Sequence, residues 1–394
     1  MKINIIHVTL LVTKVITYMK EFLTFKSGKF YFNENYDASQ IDRLLIKAIV
    51  LNETIVDLPI LPELASSIDP EIMYSSISGT AAIEGNPIPE DDVKKIAEGE
   101  NVETYTKKDQ QEIKNLIKAY DILNEIEVSN EPFKLTEEFI CSLHQIITAD
   151  IPDENNVPGK YRNDIVYVGD KAHGGIYTPP KIYDDIKNLM NEFVDWINDE
   201  KILSVHPFIR ASLAHYYFCI IHPFWDGNGR TARLMEAIIL KASNIKYLPR
   251  ELSNYYYRNV DEYYNSFSKS LRLKKDATPF LKFCLEGIVD SLSRIKEQIV
   301  YFIRKFSLKD FYRFQKDKKY INKRQYDLLL LLLDNPQDLY EFTLRDLLEN
   351  RPFSILYDKV TKQTARRDIK KLIEKDLLIV SENNKYVLNF RALG

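Results

Sequence analysis

The chain has 394 residues, 45% of them hydrophobic and 28% charged, with a formal net charge of −3. That length can bury a full core in two or three domains, and the near-neutral balance excludes a global basic field of the kind that marks nucleic-acid binders. Cys141, Cys219 and Cys284 lie far apart in apolar stretches. This excludes a disulfide framework or a zinc site and fits buried thiols in a reducing, cytoplasmic setting. No apolar run reaches spanning length, so no membrane partner is expected.

Residues 1–34 form an N-terminal segment. Its first 18 residues are apolar and β-branched, broken by His7 and Lys14, and they lack the small-residue cleavage site of a signal peptide. Either Met19 is the true start or the segment is an extra strand. Residues 35–110 read as a helical region. Within it, Asp69 as N-cap and Pro70 at the first helical position predict a helix that ends at Gly85, Asn86 and Pro87. Glu84 falls in the last turn, where the helix dipole disfavours a carboxylate. It therefore either faces water or has a cationic partner.

From 111 to 300 the 3.6-residue period dominates, as in EIKNLIKAYDIL and LTEEFICSLHQII. The exception is DIVYVGDKAHGGIYTPP, residues 164–180. Ile165, Val166 and Tyr167, then Ile176 and Tyr177, are strand formers separated by glycine turns. They predict a two-stranded flap whose open edge could align a target segment by strand addition, or an ordinary hairpin. An apolar helix follows over 204–221, with Ser204 as its N-cap and Pro207 in its first turn.

That helix delivers the most informative run, IHPFWDGNGRTAR, residues 221–233. His222 has an ordinary pKa near ~6.5, which makes it the natural proton acceptor. Asp226 offers hard oxygen of the kind magnesium prefers. Gly227, Asn228 and Gly229 can turn successive backbone N–H groups into one anion-binding concavity at the start of a new helix. Arg230 and Arg233, three apart, share a face of that helix and can grip phosphate with planar forks. Each feature alone is ordinary. Together, in this order, they can hold a polyphosphate and its metal ion and take a proton from an attacking hydroxyl. A tyrosine cluster follows, Tyr255, Tyr256, Tyr257, Tyr263 and Tyr264, and it could be core or could line a base pocket.

The charged stretch 301–325 reads as a junction. Residues 326–394 read as a separate domain of three helices and a hairpin, with Thr343 and Thr361 as caps and a turn at Asn383-Asn384. This order resembles a winged helix-turn-helix. Its third helix lies in the window 361–375, which holds six basic and two acidic residues. Lys362, Arg366, Arg367 and Lys370 are the candidates for contact with DNA. Docking of protein, or a merely solvated face, is equally open.

The run from His222 to Arg233 resembles the signature of the Fic family, H-x-F-x-D/E-G-N-G-R-x-x-R, and fills every fixed position; the resemblance covers roughly residues 60–300. It implies a mainly α fold: a Fic-type helical core over 111–300 with a β-hairpin flap, followed by the winged helix. It also implies a protein adenylyltransferase that moves AMP from ATP, with Mg2+, onto a hydroxyl of a target protein, itself included. Related Doc proteins carry lysine in place of a loop glycine, whereas Gly227 and Gly229 are intact here. The roles implied are His222 as base, Phe224 as the loop's core anchor and Asp226 as the magnesium ligand. Asn228 and the glycine amides would hold the α-phosphate, and Arg230 and Arg233 the β- and γ-phosphates. Tyr263 and Tyr264 would lie at the adenine, and the flap would dock the target. The spacing Thr80-x-x-x-Glu84-Gly85 resembles the family's inhibitory motif, whose glutamate would pair with Arg233. Relatives with this motif often form homodimers. Two rivals stand beside this reading: removal of AMP or transfer of another phosphate-bearing group, and a DNA-binding regulator with a nucleotide-sensing core.

Overall fold

The computed structural model describes residues 19–60, 62–129, 131–273, 276–335 and 340–393. The expectation for residues 1–18 lies outside the described residues. The chain is mainly helical and divides into two compact units at Lys296/Glu297.

In the first unit, β1 (Met19–Leu23) pairs antiparallel with β2 (Lys29–Asn33). The anchor of this hairpin is Phe32, which is fully buried and stacks on Trp196 at 5.4 Å between ring centroids. Tyr217 fastens its end, accepting from the Asn33 N–H at 2.8 Å and donating to the Asn33 carbonyl at 2.9 Å. The helices α1 (Ala38–Val56), α2 (Pro62–Ile83), α3 (Glu90–Ala97), α4 (Lys107–Glu125) and α5 (Glu137–Thr148) follow. Their starts obey capping chemistry: Asp37 accepts from Ser39 N–H, Thr106 and Asp109 form a capping box, and Thr136 accepts from Phe139 N–H. α2 begins at Pro62 and runs through Asp69 and Pro70, so the expected start there is wrong. A good local cap signal was overridden by the longer helix.

After the flap come α6 (Tyr183–Ile197), α7 (Glu200–Leu203), α8 (Pro207–Ile221), α9 (Asn228–Ala242), α10 (Leu252–Arg258), α11 (Val260–Leu273) and α12 (Thr278–Asp317). α8 and α9 are buried on nearly every face and form the centre of the unit. Ser204 does not cap α8. It closes the short α7, and His206 takes the cap role, its Nδ1 accepting from Phe208 N–H at 3.2 Å. The flap is also less regular than expected. It contains one antiparallel bridge, Val168 with Tyr177, and no extended strand pair. Arg162 joins the two arms at their base, donating to the carbonyls of Asp164 and Pro180 at 2.6 and 2.7 Å. Ile165, Tyr167 and Ile176 are left exposed.

In the second unit, residues 301–317, read from sequence as a junction, are helical and belong to α12. Leu308 and Tyr312 join a core with Leu328, Phe342, Leu347 and Leu372, so charge density there marks the outer face of a helix and not a linker. α13 (Lys323–Leu333), α14 (Leu344–Glu349), α15 (Phe353–Tyr357) and α16 (Lys362–Glu374) precede the hairpin β3 (Leu378–Val380) and β4 (Tyr386–Leu388). Thr343 and Thr361 cap α14 and α16. The short α15 is an element that the sequence reading lacks. No helix among the described residues is long and apolar enough to cross a membrane.

Phe32→Ala is expected to cost about 3–5 kcal/mol, the usual range for deleting a buried aromatic ring. Thermal melts and the fluorescence of Trp196, which loses its stacking partner, would check this.

Candidate active site

α8 ends at His222, whose backbone is left-handed (φ 52°, ψ 61°) while its N–H still donates to Phe218 O at 2.9 Å. The turn at this residue stops the helix and starts the loop that leads to α9. The His222 imidazole lines a cavity of about 420 Å³ together with Glu84, Gly229, Arg233, Tyr264 and the flap residues Val168 and Tyr177. Burial, and then the Arg162 guanidinium, push His222 down to about 4, so it is neutral and able to accept a proton at neutral pH.

The loop behind His222 is framed by its own side chains. Phe224 is fully buried and stacks on His144 at 3.6 Å between ring centroids. Asn228 accepts from Phe224 N–H at 3.0 Å and donates to Phe224 O at 2.8 Å. Its amide therefore shapes the loop. Gly227, at φ 78°, opens α9. A Cβ there would crowd Thr148 and His144, and a Cβ on Gly229 would meet Glu84 Oε1. Gly227 is thus required by its left-handed turn as well as by close approach, while Gly229, inside α9, leaves room for the Glu84 carboxylate.

The two arginines differ. Arg230 is buried and donates to Asp226 Oδ2 at 2.8 Å, with Glu112 at 3.7 Å. Burial opposes charge on Asp226, but Arg230 overrides it and holds the carboxyl below its ordinary value. Neither residue is part of the cavity wall. Arg233 does line it and is 2% exposed. Its Nη2 donates to Glu84 at 2.6 Å and to Thr80 O at 3.2 Å, and its Nε donates to Thr80 Oγ1 at 2.6 Å. Gly85, at φ 88°, ends the turn that carries Glu84. The structure therefore brings Thr80, Glu84, His222, Gly229 and Arg233 together. Tyr264 lines the same cavity and donates to Ile83 O at 3.1 Å. Tyr263 also lines the cavity, and its hydroxyl accepts from Arg233 Nη1 at 3.3 Å. In the other unit, Lys362, Arg366, Arg367 and Lys370 are exposed on α16.

Sequence reasoning missed three residues here. His144 accepts from Gly159 N–H at Nδ1, so its Nε2–H donates to Asp226 O at 2.9 Å. Arg162 donates through Nε to His222 O at 2.8 Å, besides its two flap carbonyls. His173, at the flap tip, sits 2.9 Å from both Asp170 and Asp261. Arg162 follows a Gly-Lys-Tyr turn, and a lone arginine there carries no spacing signal. The two histidines stand singly in the chain.

Residues 134–240 match the model of the Fic/DOC family. The chain is 30% identical over 193 residues to a protein adenylyltransferase, fic-1, of Caenorhabditis elegans, an alignment that covers 48% of this chain and 36% of the relative. It thus spans about a third of the length of that curated relative. A Fic family protein of Desulfovibrio desulfuricans superposes with a TM-score of 0.56 at 20% identity, covering 90% of this chain and 97% of that one. The 134–508 fragment of C. elegans Fic-1 superposes with a TM-score of 0.54 at 24% identity, covering 66% of this chain and 73% of that one. The fold is that of these Fic proteins.

His144, His206 and His222 are each held down to about 4, by burial first of all. An unfolded chain takes up these protons near ~6.5 and the folded chain only near 4. Stability is therefore expected to fall as pH drops from about 6.5 to about 4. Thermal melts across that range would show it, and a flat melting temperature would contradict it.

Proposed function

We propose that this chain transfers AMP from ATP to a hydroxyl of a target protein, and that Glu84 holds it inhibited. The observation that carries the reading is the ion pair between Glu84 and Arg233 at 2.6 Å, in the wall of the cavity that His222 lines. A target hydroxyl attacks the α-phosphorus. Its proton passes to neutral His222, the new O–P bond forms, and the bond to pyrophosphate breaks. Backbone amides of the Gly227–Gly229 turn, at the start of α9, face the negative charge. Arg233 holds the terminal phosphates, and Arg230 assists once it exchanges Asp226 for phosphate.

Asp226 fits a magnesium ion by donor chemistry. Its side chain is 40% exposed, and its carboxyl, held below the ordinary value, is charged at neutral pH. No group of three or more His, Cys, Asp or Glu side chains suited to a metal occurs among the described residues, so Asp226 would hold the ion with phosphates and water completing the shell. Bound there, magnesium supplies charge neutralisation on the phosphates.

Glu84 occupies the guanidinium that the γ-phosphate needs, and Thr80 accepts from that same guanidinium. The flap, with Ile165, Val166, Tyr167, Ile176 and Tyr177, aligns the target at the cavity mouth. The acceptor includes this protein itself where a hydroxyl reaches the site. Glu84→Gly should raise transfer of label from α-labelled ATP by roughly tenfold or more, the factor carried by one hydrogen bond to a charged group. Adding His222→Ala should abolish it. No gain in the single variant would remove the inhibitory role. Label transferred from γ-labelled ATP would replace AMP transfer with phosphate transfer.

We also propose that the C-terminal unit is a winged helix-turn-helix with α16 as its recognition helix. The support is the capped α16 with Lys362, Arg366, Arg367 and Lys370 exposed along it. DNA binding through four phosphate contacts would fall with salt at a log–log slope of roughly −3 to −4. Gel shifts at several salt concentrations read that slope. Binding that is absent at every salt leaves the unit as a protein-docking module.

A further inference from the structure

Behind Arg233 lies a chain of buried polar groups that none of the chemistry above uses. Arg233 Nη1 donates to Tyr263 Oη at 3.3 Å. Tyr263 Oη is 2.9 Å from His215 Nε2, and His215 Nδ1 is 2.8 Å from Glu236 Oε2. Tyr256 donates to both oxygens of Glu236, at 3.0 and 3.1 Å. His215 and Tyr256 are fully buried, Glu236 is 1% exposed and Tyr263 2%.

Hydrogen-bond accounting gives the chain a direction. An ionised Glu236 can only accept, so His215 carries its proton on Nδ1. In a neutral imidazole Nε2 then accepts, and its donor is the Tyr263 hydroxyl. The Tyr263 oxygen is left to accept from Arg233. A doubly protonated imidazole would leave the Tyr263 hydroxyl proton facing two donors. The arrangement that satisfies every group runs one way, from guanidinium to phenol to imidazole to carboxylate, with opposite charges at its two ends.

The location of these groups matters as much as their order. The other partners of Arg233, Thr80 and Glu84, belong to α2 and its last turn. Tyr263, His215 and Glu236 belong to α11, α8 and α9. When Glu84 is withdrawn, the contacts from α2 are the ones at stake, and the contact through Tyr263 stays with the core. We infer that Glu236, acting through His215 and Tyr263, is the standing counter-charge that positions Arg233 for the terminal phosphates of the nucleotide. The inference rests on the proposed role of Arg233 as a phosphate holder. Tyr263, His215 and Glu236 are positioning residues, since they act through Arg233.

The test measures affinity of the full-length protein for ATP and for AMP, by titration calorimetry with magnesium present. AMP lacks the phosphates that Arg233 would hold. Glu84→Gly should strengthen ATP binding relative to AMP. In that background, Tyr263→Phe should weaken ATP roughly tenfold and leave AMP unchanged, and Glu236→Gln should do the same while keeping the shape of the side chain. If one of these variants fails to fold, the other still gives the reading. Equal weakening of ATP and AMP would mean a merely structural role and would overturn the inference. An unchanged ratio in both variants, after a clear gain from Glu84→Gly, would overturn it while leaving the phosphate role of Arg233 intact. No gain from Glu84→Gly would overturn both.

Discussion

A guanidinium buried to 2% exposure must find acceptors for its donors, because an unpaired buried charge is among the costliest states a protein can hold. Arg233 finds them in Thr80, Glu84 and Tyr263. Much of the first unit can be understood as the means of meeting that demand. α2 has to end against α9, so α2 must also lie close to α10. Gly79 permits this, since a Cβ there would stand 2.9 Å from Asn254 Oδ1. Gly229 permits the approach from the other side. The pair is not evidence of great stability, because desolvation offsets much of its Coulomb energy.

The loop between α8 and α9 answers a different constraint. It must hold His222 in a left-handed conformation and keep the following backbone turned towards a single point. The side chains that do this are mostly not the ones that would meet a substrate. Asn228 closes on Phe224, Phe224 stacks on His144, and His144 donates to the carbonyl of Asp226. Arg162 then ties the His222 carbonyl to both arms of the flap. His222, the loop and the flap are thereby part of one hydrogen-bonded frame.

The sequence was informative where chemistry is local. Caps at Thr343 and Thr361 and the glycine turn after His222 depend on residues a few positions apart, whereas the local reading of Glu84 left water and a cationic partner both open, and only the family resemblance named Arg233. It was less informative where a contact joins distant segments. The hairpin of β1 and β2 depends on Phe32 meeting Trp196, which no local pattern announces. The flap reads as two strands because Ile165, Val166 and Tyr167 favour them, while the arms meet in a single bridge and are joined at their base by Arg162. His215 and Glu236 sit inside helices that the hydrophobic period marks as core. A polar group in such a stretch reads as an exception to the pattern, and only its buried partners reveal a network. Asn228, which the resemblance placed at the α-phosphate, also has a framing role that no local pattern announced, since its side chain bonds both backbone groups of Phe224.

Glu84 and Arg233 belong to one covalent chain, so their encounter is governed by an effective concentration that the fold sets. Diluting the protein does not separate them, and raising its abundance does not drive them together. Separating the pair would require unwinding the terminal turn of α2, drawing that turn onto another surface, or offering the guanidinium a stronger anion.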